Sequence, residues 1–157
     1  MDDILASPLR LCVRRSGDAG SAPAVSVLIE VPADVRFIED VIELMARHCF
    51  SGTAPCKRTG FRLRVLLAEA LTNSILFGAE GNPQRTVRVG AELTERTIRL
   101  EVTDDGPGFD PREVPDPTAP TGLGRAIGRG LFLIRNLADR VEFNEQGNTI
   151  WMTLPRS

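Results

Sequence analysis

The stretch VLLAEALTNSILFG, residues 65–78, is the greasiest helical run in the chain, yet it holds a carboxylate at Glu69 and a carboxamide at Asn73. Four residues apart on a helix means one face, one turn apart. Leu66, Leu67, Leu71, Ile75 and Leu76 can supply a buried stripe beside that face. Two readings stay open. The polar pair is a helix edge meeting solvent, or it is a pair of oxygen donors aimed into a cleft. In the second case it could share a hard divalent cation, directly or through water. Mg2+ prefers oxygen, keeps several waters and commonly sits between one or two protein ligands and phosphates.

Working outward, this helix is expected to start near Gly60 and to end at Phe77, with Gly78 as its stop. Before it, VSVLIEV (25–31) is β-branched and reads as a buried strand. PADVRFIEDVIELMARHCF (32–50) carries a helical stripe of Val35, Ile38, Val41, Ile42, Leu44 and Met45. After it, TVRVGAEL (86–93) and TIRLEVTD (97–104) alternate as a strand pair. Residues 104–128 are rich in glycine and proline and read as a long functional loop. Helical periodicity resumes at RGLFLIRNLADR (129–140), and VEFNEQGNTIWMTL (141–154) closes with two strands. The order β-α-α-β-β-loop-α-β-β predicts an α/β, two-layer sandwich: a mixed, mostly antiparallel sheet with helices on one face. Residues 1–23 read as an N-terminal extension with a short strand at LRLCVR, and 24–157 as a single domain.

Two further segments carry chemistry. Asp104-Asp105-Gly106-Pro107-Gly108 leaves a strand end. It is a turn signal, but its glycines would also let a flat ring lie against bare backbone. An ionised aspartate at the base of such a turn accepts a hydrogen bond from an exocyclic amine, such as that of adenine. TGLGRAIGRGLFLI (121–134) places Gly122, Gly124, Gly128 and Gly130 before an apolar helix. Bare amides at a helix N-terminus make an anion site, and Arg125 and Arg129 could add charge-assisted bonds to phosphate. The alternative is a hinge followed by a core helix. There is no GxxxxGK[ST], and the glycine spacing is not GxGxxG after a strand, so neither a P-loop nor a dinucleotide-binding turn is expected.

Bulk properties exclude other classes. A net charge of −2 with scattered arginines gives no broad grip on nucleic acid. No apolar run has the length of a membrane span, and MDDILASPLR lacks the order of a signal peptide. Three cysteines without a CxxC pair favour a reducing cytoplasm over disulfides or zinc. The single histidine, His48, suits a helix end.

With these motifs in order, the chain resembles the GHKL-type (Bergerat-fold) ATPases over roughly residues 25–155. EALTN (69–73) resembles their N box, DDGPGF (104–109) the first glycine box, GRGLFLIRNLAD (128–139) the second, and GNTIWMTL (147–154) the closing strand pair. TGLGRAI, just upstream, also looks like a second box, so two stretches compete for that role. The nearer likeness is to bacterial anti-sigma-factor serine/threonine kinases, which carry glutamate at the position of Glu69; Phe77 stands where they often have histidine.

That resemblance implies ATP/ADP and Mg2+ as cofactors. Glu69 would act as catalytic base and Asn73 as the Mg2+ ligand. Asp104 would accept from the adenine amine, and Gly106 and Gly108 would admit the nucleotide. Gly128, Arg129 and Gly130 would hold phosphate, with Arg125 as the alternative arginine, and Thr149 would contact the nucleotide region. Residues of about 109–127 would form a lid. The implied partners are a STAS-domain anti-anti-sigma protein that is phosphorylated, a sigma factor that is sequestered, and a second copy of the chain. Two alternatives stay beside this: a nucleotide-gated binding switch without phosphotransfer, and a detached histidine-kinase-like catalytic domain.

Overall fold

The computed structural model describes residues 8–16, 24–50, 56–108 and 122–156. The strands are β1 (Arg10–Ser16), β2 (Ala24–Pro32), β3 (Thr86–Leu93), β4 (Thr97–Thr103), β5 (Arg140–Phe143) and β6 (Thr149–Pro155). They form one sheet in the order β1-β2-β3-β4-β6-β5. Helices α1 (Ile38–Cys49), α2 (Lys57–Asn73) and α3 (Gly122–Leu137) bury their apolar stripes against one face of it. No helix among the described residues is long and apolar enough to cross a membrane.

All pairings among the described strands are antiparallel. The reason lies in the crossovers. Two helices, α1 and α2, carry the chain out and back, so it re-enters the sheet where it left, with Pro32 paired to Thr86. One helix, α3, separates β4 from β5, so β5 runs in the direction of β4, but β6 inserts between them. The sheet expected to be mixed and mostly antiparallel is thus antiparallel at every pairing among the described strands.

Alternation decides which side of each strand is buried. Val87, Val89, Ala91 and Leu93 of β3, Ile98, Leu100 and Val102 of β4, and Ile150, Met152 and Leu154 of β6 meet Leu66, Leu67, Leu71, Leu131 and Ile134 from the helices. At about 25 cal/mol per Å2 of apolar surface removed from water, such a layer is the main force holding the fold. The opposite face is polar: Arg99 contacts Glu142 at 3.2 Å and lies over the Trp151 ring at 5.2 Å.

Several boundaries differ from expectation, each for a local reason. Val35 is exposed, because a 3-10 turn (Val35–Phe37) precedes α1 and Asp34 caps it, accepting from the Arg36 amide at 2.9 Å. Helix α2 begins at Lys57, earlier than Gly60, because Cys56 acts as its N-cap: the thiol accepts from the Thr59 amide at 3.4 Å. The α-helix stops at Asn73 and continues as a π-helical segment, Ser74–Gly78, which leaves Leu76 exposed while Ile75 stays buried. Helix α3 begins at Gly122 rather than near residue 128. Of the expected lid, 109–121 lies outside the described residues. Cys49 is buried and its thiol is pushed up to about 12 by burial, whereas Cys12 and Cys56 are exposed and unbridged.

Candidate functional site

The polar pair of α2 does not meet open solvent. Both side chains are half-buried against the third helix: a Cβ built on Gly130 would lie 2.8 Å from Glu69 Oε2 and 3.4 Å from Asn73 Nδ2. A side chain at that position would press on the Glu69 carboxylate and turn it aside. The glycine therefore buys proximity between the α2 carboxylate and the α3 backbone.

Just beyond Asn73 the hydrogen bonding changes register. The Ala79 amide donates to the Ser74 carbonyl at 2.8 Å, five residues back. Such π-turns interrupt helices frequently at functional sites. Here the segment brings Ser74 and Gly78 against the end of β4. The Ser74 hydroxyl donates to the Asp104 carboxylate, and the Gly106 amide donates to Asp104 Oδ1 at 2.8 Å. Gly78 lies so close to that carboxylate, and Gly106 so close to the Gly78 carbonyl, that neither position has room for a Cβ. Asp104 is 7% exposed. Burial pushes its carboxyl above the usual carboxylate range; the Gly106 and Ser74 hydrogen bonds pull it down, the Asp105 charge pushes it up, and the Arg85 charge pulls it down.

The β5–β6 turn braces the same corner. The Asp104 amide donates to the Asn148 carbonyl at 3.0 Å, and Asn144 Oδ1 accepts from the Asn148 and Thr149 amides at 3.0 and 3.1 Å. Thr149, buried, shares a hydrogen bond with the Thr103 hydroxyl at 3.0 Å. Gly108, at φ +78°, presses against the Gln146 carbonyl.

A cleft of about 220 Å3 opens between these elements. Its walls are apolar, with Val102, Leu131, Ile134, Phe77 and Phe143, and the Asp104 carboxylate stands in its floor. Asn73, Gly108 and Thr149 also line it. This combination, an apolar slot with one buried acceptor and few polar groups, suits a flat heteroaromatic ring carrying an amine. Among the described residues no cluster of three or more His, Cys, Asp or Glu could cage a metal. A cation held by one carboxamide oxygen plus phosphate oxygens and water fits this donor set; an all-protein metal cage does not.

The structure thus brings together Asn73, Asp104, Gly106, Gly108 and Thr149, with Glu69 and Gly130 packed at the adjoining helix crossing. Gly128 and Gly130 do not stand at the first turn of a helix. They lie six and eight residues inside α3, beyond the free N-terminal amides, and Arg129 is exposed beside them. The Arg125 side chain lies outside the described residues. Sequence reasoning missed Ser74, Asn144 and Asn148. Ser74 and Asn148 acquire their roles from Asp104 and Gly106, far along the chain, whereas Asn144 acts locally, across its own β5–β6 turn.

A family model for the histidine kinase-like ATPase domain matches residues 31–154. The chain is 36% identical over 97 residues to an anti-sigma F factor of Bacillus cytotoxicus, covering 58% of this chain and 66% of that protein. It is 29% identical over 130 residues to a serine-protein kinase RsbW of Oceanobacillus iheyensis, covering 75% and 78%. A serine-protein kinase RsbW of Listeria innocua is 27% identical over 140 residues, covering 81% and 85%. The family match spans the whole helix–sheet layer that frames the cleft, and on that ground the chain belongs to the histidine kinase-like ATPase domain family.

Proposed function

We propose that this chain is an ATP-dependent serine/threonine protein kinase of the anti-sigma type. It phosphorylates a STAS-type anti-anti-sigma partner and holds a sigma factor in a manner set by the bound nucleotide. The observation that carries the reading is the placing of Asn73 in the same cleft as buried Asp104, with Glu69 one turn behind Asn73 at the α3 crossing. The printed names of the relatives support the anti-sigma and kinase parts of it.

In this reading Asp104 accepts from the adenine amine, and the backbone around Gly106 and Gly108 lets the ring approach. Asn73, which lines the cleft, would hold Mg2+ through its carboxamide oxygen, and the ion would neutralise charge on the phosphates. Glu69 receives the proton of the attacking serine or threonine hydroxyl as its oxygen bonds to the γ-phosphorus and ADP departs. Arg129, exposed on α3, would supply charge-assisted bonds to the phosphates. Positioning and electrostatics supply most of the acceleration in such transfers. Leu11 and Val13, exposed on the edge strand, support a homodimer.

The test is purified chain, labelled ATP and a STAS-domain acceptor. Phosphoserine or phosphothreonine on the acceptor is expected, and Glu69→Ala should lower transfer by about 10²–10⁴-fold while ATP affinity stays. Nucleotide-dependent partner binding without label would make the chain a switch, and acid-labile phosphohistidine would make it a histidine-kinase-like module. Equal loss of binding and transfer in Glu69→Ala would assign that carboxylate to the fold.

A further inference from the structure

Main-chain hydrogen bonds fix the sense of one carboxamide at the cleft. Asn144 Oδ1 accepts from two backbone amides, Asn148 at 3.0 Å and Thr149 at 3.1 Å. A backbone amide only donates, so that atom is the oxygen, and the nitrogen of the same side chain faces the other way. Asn144 Nδ2 then donates to Asn148 Oδ1 at 2.6 Å. The Asn148 oxygen is thereby engaged, and its Nδ2 faces away from Asn144 and donates to the Gly106 carbonyl at 3.4 Å. That distance is at the long limit of such a bond, and Nδ2 has no other acceptor among the described residues. Asn148, half-buried, lines the cleft. Asp104 lines it too, and its Oδ1 accepts from the amide of the same Gly106 at 2.8 Å. Gly106 is therefore bonded to an acceptor side chain by its amide and to a donor side chain by its carbonyl.

Resting on the reading of Asp104 as the acceptor for the adenine amine, we propose that Asn148 is a specificity-determining residue for the purine, its Nδ2 donating to a ring nitrogen beside that amine. An aminopurine offers an N–H donor next to a ring nitrogen that accepts. Asp104 meets the first and Asn148 the second. The bond to the Gly106 carbonyl is long and weak, so little is lost when the donor turns to the base. Asn144 keeps the carboxamide in this sense. Turned over, Asn148 would set its oxygen against the Gly106 carbonyl and its nitrogen against Asn144 Nδ2, leaving like groups face to face at both ends.

The experiment is calorimetry on the full chain with ATP, 1-deaza-ATP and 7-deaza-ATP. Each analogue replaces one ring nitrogen beside the amine with a C–H and keeps the amine. The parent should bind at least one analogue about tenfold more weakly than ATP. Asn148→Ala should erase that gap. Asn148→Asp keeps an acceptor for Asn144 Nδ2 but presents no donor, so it should erase or reverse the gap, and it reads the same contact should Asn148→Ala fail to fold. A gap that persists in Asn148→Asp, with ATP and analogue weakened alike, makes Asn148 a brace of the turn and overturns the inference. A parent that binds ATP and both analogues equally also overturns it, and leaves the nucleotide site standing where Asp104→Asn loses ATP. A parent that binds no adenine nucleotide overturns the site and this inference together.

Discussion

Gly130 shows how much one missing methyl group can decide. Alanine is the better helix former by about 1 kcal/mol. Here, however, its Cβ would stand 2.8 Å from Glu69 Oε2, and that oxygen is the far end of a side chain able to swing away. Gly130→Ala is therefore expected to leave the melting temperature unchanged or raise it, while phosphotransfer falls at least tenfold; melting curves beside a transfer assay read both. Asp104 carries the opposite tension. Its folded-state carboxyl titrates above the usual carboxylate range, chiefly because it is buried. The stability it contributes is complete below the pKa of the unfolded chain's carboxyl and is lost as pH rises through the folded-state pKa, since the unfolded chain then gains more from ionisation. Asp104→Asn has no such loss. Denaturant titrations at a series of pH values should show the variant gaining on the parent as pH climbs out of the acid range, while its ATP affinity drops. A constant difference across pH would remove burial of the charge as the cause.

At the scale of elements, the start of α2 depends on an uncommon cap. The Cys56 thiol accepts from the Thr59 amide and exchanges a hydrogen bond with the Thr59 hydroxyl at 3.1 Å. Those Thr59 hydrogen bonds also hold the thiol below its ordinary pKa. Cys56→Ala should cost about 0.5–1 kcal/mol, and Cys56→Ser should be neutral or stabilising because a hydroxyl is a better cap; urea midpoints for the two variants check this. The helices are also tied at their surfaces. Arg64 pairs with Glu43 between α2 and α1, and Arg62 with Asp139 at 3.7 Å beyond α3. These exposed or partly exposed pairs contribute little, since water and salt screen them. Packing of Leu63, Leu66, Leu67 and Leu71 against the sheet sets the position of Glu69 and Asn73.

For the whole molecule, the cleft lies where α2, α3, the end of β4 and the β5–β6 turn meet, so a nucleotide bound there would touch elements from across the chain. Binding to the folded state alone stabilises it by about 2.7 kcal/mol at a hundredfold excess over Kd. For a domain of this length that corresponds to a rise in melting temperature of about 5–10 °C. Mg-ATP should produce such a shift, and Asn73→Ala should reduce it when Mg2+ is present but change it little in EDTA. Equal shifts for parent and variant with Mg2+ would remove Asn73 as the ligand.

What the sequence determined by itself follows from local rules. Alternation marked β3 at both limits and β4 to within one residue, helical spacing marked α1 and α2, and the order of the Glu69–Asn73, Asp104–Gly108 and Gly128–Gly130 motifs pointed to the family. These features are legible because burial on one face leaves a period in the sequence. Helix limits were less legible. A thiol cap at Cys56, the π-turn after Asn73 and the glycine-tolerant start of α3 leave no periodic trace. The rest was decided by tertiary structure. That Gly130 adjoins Glu69, that Ser74 and Gly78 enclose Asp104 and that Asn148 braces it are contacts between residues far apart in the chain. Each exists only because the packed core fixes two backbones at close range, and no spacing rule within one segment encodes that distance.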